Sequence, residues 1–318
     1  MKHLFSIIIV LLLASCSSEK KTEKEIEAIP VTIELLRFDT IFGKATENDL
    51  PKLKSKYPEF FPKQYHDSVW FNRINDTFQK QLFEEVIRKY PTNENLEEQF
   101  TSLFQHIKYY FPIIKIPRVI TSIDFVDYKN NVILTDENLL VSLDTYLGSE
   151  HSFYEGIPMY ISQNMKESQI ISDVSSAYAK QFVSMPVERT FLAQMMYHGK
   201  VLYLKDLWIP KGSDAVKIGY TQGQVDWMLE NEAEIWRNFV ENEVLFSTDA
   251  KLLPRFIYPA PFSKFYLEID NESPGRVGQY MGWQIVRSFM EKNNIDLQQL
   301  MMMNADEIFN ASKYKPKK

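Results

Sequence analysis

A hydrolytic zinc site carried on a helix needs two histidines at i and i+4, so that both face one way, and a glutamate after the first to activate water. The equivalent five-residue window of this chain is Gln194-Met195-Met196-Tyr197-His198. Only His198 is a good zinc ligand there. Met195 stands where the glutamate would be, and a thioether cannot accept a proton. A lone histidine on a helix is more often a packed or exposed structural residue than a ligand. Glu232, 34 positions after His198, is the second candidate. Its spacing from Val225, Leu229, Trp236 and Phe239 sets its carboxylate on the apolar stripe of a helix, while Glu230 and Glu234 point elsewhere. A buried carboxylate must be paired or protonated. Glu232 is therefore expected either to pair with an arginine such as Arg276 or Arg287 in the core, or to form the polar floor of a cleft.

The stretch from Asp270 to Arg276 is dense in polar residues and feeds a helix N-terminus, where unpaired amides and the helix dipole favour anions. A capped helix start explains most of it without a ligand. Gly278 and Gly282, one turn apart on the following helix, leave room for another backbone. Tyr258-Pro259-Ala260-Pro261-Phe262 and Met301-Met302-Met303 suit either adaptable contact surfaces or ordinary packing. No Walker-type phosphate loop and no G-x-S-x-G nucleophile elbow occurs, so hydrolases of those classes have no support.

The elements that would position these residues follow from periodicity. Trp70, Ile74, Phe78, Leu82 and Val86 recur every four positions and predict one helix over 67–90. Leu96, Phe100, Leu103 and Ile107 predict a second over 95–110, stopped by Pro112. From Val119 to Phe125 apolar and polar residues alternate as in a strand, and residues 131–135 and 139–143 read as two more strands joined by a polar turn. Tyr154-Glu155-Gly156-Ile157-Pro158 is a loop. Three long helices should follow. Ser184, Pro186 and Glu188 open the first, with Val187, Phe191, Leu192, Met195 and Leu202 inward. The capping box Thr221-Gln222-Gly223-Gln224 opens the second. Ser273-Pro274 opens the third, which ends near Asn293. Helices, a short central sheet and then long helices make an α+β fold.

The ends and the composition set the context. Lys2, an apolar run over residues 4–13 and the exit Ala14-Ser15-Cys16 form a sorting signal over residues 1–15. The apolar run is shorter than the ~20 residues of a membrane-crossing helix. Leu13-Ala14-Ser15-Cys16 resembles a bacterial lipobox, cut before a cysteine that is then acylated, and Cys16 is the only cysteine in the chain. Residues 16–30 are expected to be an acylated N-terminus and solvated linker, because 17–25 are charged and nearly devoid of apolar residues. Residues 31–318 are expected to form one globular domain, with a helical part to about 116 and the remainder from 117. A chain that is 45% hydrophobic and 14% aromatic with 10 glycines can pack a substantial core. Its formal charge of −6 makes nucleic acid an unsuitable partner.

Leu35-Leu36-Arg37-Phe38-Asp39-Thr40, Tyr57-Pro58-Glu59-Phe60-Phe61 and the stretch from Pro261-Phe262-Ser263 to Gly278, with the lipobox, resemble the gliding-motility lipoprotein family GldB of the Bacteroidetes. The resemblance covers nearly the whole mature chain and is most specific from Glu230 to Arg287. It implies a cell-envelope lipoprotein needed for gliding, held in the membrane by its lipid, with other gliding or secretion machinery proteins as partners. Ser17 after the cysteine is compatible with the outer membrane, facing the periplasm. The family is also similar, distantly, to exported zinc-dependent peptidases of zincin type. On that mapping His198 matches the second histidine and Glu232 or Glu230 the third ligand, while Gln194 and Met195 depart from the pattern. A catalytic zinc normally has three protein ligands and a water, and at most two are evident. The expectation is a peptidase-like scaffold without catalytic residues or a cofactor beyond the lipid on Cys16. Its cleft would be formed by Gln194, His198, Glu232 and Arg276. The alternative is a divergent zinc peptidase that completes its ligands from elsewhere, such as His151.

Overall fold

The computed structural model describes residues 21–316. Residues 21–27 form a first helix, α1. Ile26 is buried, and the Glu23 carboxylate lies 3.2 Å from Nε2 of His106 and 3.5 Å from Nζ of Lys211. The solvated linker expected up to residue 30 is thus replaced from residue 21 by a docked helix. Lysine and glutamate are good helix formers, and Ile26 supplies the apolar contact that composition alone undervalued.

Strand β1 (Leu35–Arg37) runs directly into α2 (Phe38–Gly43). Helices α3 (Leu50–Lys56), α4 (Asp67–Asn75), α5 (Thr77–Lys89) and α6 (Glu94–Tyr110) precede β2 (Arg118–Ser122), β3 (Val132–Leu134) and β4 (Asn138–Ser142). The sheet order is β1-β2-β4-β3, parallel except for β3 at the edge. Parallel neighbours need a long crossover, and α2 to α6 supply it. The sheet therefore spans the division expected near residue 116. Arg37 and Asp39, from the first of the family-like motifs, form a forked ion pair at 2.8 Å, and Thr121 on β2 donates to the same carboxylate. The second motif supplies Tyr57, Phe60 and Phe61, which cluster with Phe38 and Phe42 in a small aromatic core.

Two expectations fail here for visible reasons. Asp76 divides the single helix predicted over 67–90: its backbone is extended and its side chain accepts the Gln79 N–H at 2.7 Å, so it ends α4 and caps α5. Ile74, Leu82 and Val86 remain buried, but Phe78 is 37% exposed. Strand β2 stops at Ser122, short of Phe125. The buried Asp144 carboxylate accepts the N–H groups of Asp124 and Val126, and Phe125 and Val126 take left-handed φ values of 51° and 59°, which a strand cannot hold.

The C-terminal half contains α7 (Met159–Ser162), α8 (Ile170–Phe182), α9 (Phe191–Trp208), α10 (Asp214–Ile218), α11 (Gln222–Glu241), α12 (Leu252–Phe256), α13 (Val277–Lys292), α14 (Leu297–Met302) and α15 (Ala305–Ser312). Helix α9 is the spine, buried along nearly its whole length, with α13, α8 and α15 packed against it. Gly199 and Gly282 meet at the α9–α13 crossing, where a Cβ on Gly282 would run into the Met195 carbonyl. Asp206 on α9 accepts from Arg287 at 2.7 Å, Trp283 Nε1 at 2.8 Å and Lys217 at 3.0 Å, tying α9 to α13 and α10. One continuous core runs from Leu82 to Ile308. Mainly helical with one small sheet, the fold is α+β.

Three helix details differ from the periodicity. Helix α9 begins after Thr190, whose side chain accepts the Ala193 N–H, and Val187 is 92% exposed, not inward. Along α11 the buried stripe is Val225, Met228, Glu232, Ile235 and Phe239, and Leu229 is exposed. Both stripes satisfy a 3.6-residue period; Met228 and Ile235 are the buried ones, and Trp236 is partly buried against the same core. Helix α13 starts at Val277 because Ser273 is committed elsewhere, donating to Asp270 O at 2.7 Å and accepting from Ser263 N at 3.1 Å.

Candidate binding site around Arg276

Of the four cleft residues expected from sequence, Arg276 lines the cavity described below, and Gln194, His198 and Glu232 are not among its lining residues. His198, on α9, faces a region shared with Lys180 of α8 and Arg276. Burial first, then those two cations, pull its pKa down to about 4. It is a neutral imidazole against positive charge. Gln194 lies one turn earlier on α9, half-buried. Glu232 is 2% exposed, as its place on the stripe predicts, but it accepts a 2.6 Å hydrogen bond from the Tyr314 hydroxyl, not from either arginine. Arg287 instead forks across Asp206 and Asp214 with four hydrogen bonds, and Arg276 donates to the Gly219 carbonyl. His151 caps the turn at Ser152–Tyr154 and lies 3.6 Å from Glu85. Among the described residues no group of three His, Cys, Asp or Glu side chains converges as metal ligands would. Cys16 lies outside the described residues.

What Arg276 does face is a half-enclosed cavity of about 180 Å³ between the sheet and the C-terminal helices. Asn131 and Tyr146 come from the ends of the β3–β4 hairpin, Asn164 follows α7, Asp173 sits in α8, and Tyr220 joins α10 to α11. Asp173 accepts from Tyr146 at 2.9 Å and from Asn131 at 3.0 Å. Burial raises its pKa, opposed by the charge of Lys205, by those hydrogen bonds and by Arg276. Burial likewise pulls Lys205 down to about 7; its Nζ donates to Ser172 Oγ at 3.0 Å and to the Lys217 carbonyl at 2.6 Å.

Arg276 is aimed by its own backbone. Its φ of +64° is the left-handed conformation that a non-glycine residue adopts at a cost of about 1–3 kcal/mol. The guanidinium lies over the Tyr220 ring, 5.2 Å from its centroid, and Nη2 donates to Gly219 O at 2.9 Å. Asn164 Nδ2 donates to the same carbonyl, also at 2.9 Å. Gly219 has φ +73°, and a Cβ there would press on Asn164 Nδ2 at 3.1 Å, so glycine is required both for the turn and for the two donors to converge. The Asn164 Oδ1 is buried and has no donor among the described residues.

The model of a protein family described as gliding motility protein GldB matches residues 19–316. The chain belongs to that family. No curated protein and no solved structure matches it. Membership makes it a gliding-motility protein of a family labelled as lipoproteins, and no helix among the described residues is long and apolar enough to cross a membrane. The matched residues include Arg276 and the loop before it, where Ser263 and Ser273 are joined by hydrogen bonds. Sequence reasoning missed Asp173, Asn164, Tyr146, Tyr220 and Asn131. The available signals were an aspartate amid small polar residues in an apolar helix, Ser172-Asp173-Val174-Ser175, and the helix-ending Gly219 before Tyr220.

Proposed function

We propose that this chain is a non-catalytic, lipid-anchored component of the gliding apparatus, attached through Cys16 to the outer membrane on its periplasmic side, and that it works by binding other envelope components. The observation that carries the non-catalytic part is the setting of His198. A zinc ligand should lie among carboxylates or further imidazoles, whereas the His198 imidazole is held neutral by burial first and then by the positive charges of Lys180 and Arg276. The peptidase-like character of the scaffold rests on the sequence resemblance, and the anchor on the lipobox together with the family's lipoprotein label.

Complementation of a deletion strain tests the anchor. Cys16→Ser is expected to leave the outer-membrane fraction and to fail to restore spreading. A Cys16→Ser chain that stays in that fraction and supports normal gliding overturns it. Zinc measured on full-length protein, purified without chelator beside His198→Ala, tests the chemistry. The expected result is no zinc in either; about one zinc per wild-type chain, lost in the variant, makes the protein a metallopeptidase candidate instead.

A further inference from the structure

Two partly buried arginines of the C-terminal half have opposite situations. Arg287 uses four hydrogen bonds on two carboxylates, which is what a structural guanidinium does. Arg276 makes one, to Gly219 O, beside its ring contact with Tyr220. Its remaining N–H groups have no acceptor among the described residues, although they stand at the wall of a cavity. Guanidinium donors left open at a cavity wall can take an incoming acceptor, and the left-handed backbone at residue 276 holds them there at a conformational cost. Next to it, Asn164 Oδ1 is a buried acceptor lacking a donor. Because Asn164 and Arg276 both donate to the Gly219 carbonyl, the unused donors and the unused acceptor are neighbours. Asp173 also lines the cavity, one of its oxygens already accepting from Tyr146 and Asn131.

We propose that this cavity binds an α-carboxylate with an N–H beside it, the chemistry shared by a peptide's carboxyl terminus and a free amino acid. This rests on the reading of the chain as a binding component. The planar fork of Arg276 takes the carboxylate, and Asn164 Oδ1 takes the N–H. A sulfate offers acceptors only and would leave Asn164 unsatisfied. The size agrees, since about 180 Å³ is smaller than the ~300–1,000 Å³ of pockets for drug-sized ligands and fits a single residue. The half-enclosed shape favours the peptide source, because a chain end must leave through an open side.

The test uses the full-length lipoprotein in detergent. Three probes are compared by thermal shift and by ligand-observed NMR: a pool of N-acetylated tripeptides with every residue at the free carboxyl terminus, the same pool amidated, and the free amino acids. The free-acid pool is expected to raise Tm and the amidated pool to leave it unchanged, with Arg276→Gln weakening binding about tenfold or more. Binding of free amino acids but not of the peptide pool assigns the same chemistry to a small metabolite. Equal binding of acid and amide, or binding of none of the three, overturns the proposal. The acid–amide comparison is made on wild-type protein, so it holds even if Arg276→Gln fails to fold. A negative result leaves the anchoring and zinc experiments, and the functional reading they test, untouched.

Discussion

His198 shows how a residue's neighbours decide its chemistry. The folded protein keeps the imidazole neutral down to about pH 4, whereas an unfolded chain protonates it near the ordinary value of about 6.5. Between those values the unfolded state binds more protons, so this group's contribution is full above about pH 6.5 and is lost as the pH falls towards 4. Urea midpoints of wild type and His198→Asn at pH 7 and 4.5 should show a smaller acid loss in the variant, by on the order of 2–3 kcal/mol. An unchanged gap would mean that His198 is not held neutral. The burial of Glu232 could be read from spacing because a helix period needs only near neighbours in sequence. Its partner could not: Tyr314 lies 82 residues away, beyond any local pattern. The same holds for the cavity, whose lining residues run from Tyr128 to Arg276 and are brought together only by the packing of the C-terminal helices against the hairpin.

At the scale of elements, the close crossing of α9 and α13 was foreshadowed by Gly278 and Gly282, while the second glycine of the contact, Gly199, gave no sign in its own sequence. Gly282→Ala pushes a Cβ into the backbone of α9 at Met195, and neither main chain can yield without disturbing Asp206 and Arg287 farther along. A loss of about 3 kcal/mol or more is expected, read as a fall in denaturation midpoint. Gly223→Ala on the exposed first turn of α11 meets nothing closer than 4.0 Å and should be neutral or slightly stabilising; similar losses in both would remove the crossing as the cause. Element type was legible wherever a stripe was long, as on α6. Boundaries failed where a single side chain redirected the backbone: Asp76 between α4 and α5, Asp144 at the end of β2, and Thr190 at the start of α9. Each of these is a hydrogen bond whose competitor in sequence looked equally good.

For the whole molecule, the α+β class was open to a sequence reading, but strand β1 was not, since three residues are too few to show alternation. The docking of α1 matters at this scale. Glu23 fastens it to α6 through His106, Gln105 of α6 donates to the Glu27 carbonyl, and Ile26 is buried. With a lipid on Cys16, as proposed, only residues 17–20 lie between the acylated cysteine and that helix, a contour of no more than about 18 Å. A Gly/Ser insert of about twenty residues after Ser18, adding roughly 25 Å of root-mean-square reach, should leave Tm and membrane fractionation unchanged and slow spreading. Normal spreading would show that the domain's height above the bilayer is immaterial. A leash this short has almost no slack. A partner tugging on the domain would drag the lipid sideways through its leaflet before any length of chain could pay out, and the Glu23–His106 clasp would be the first joint to carry the load.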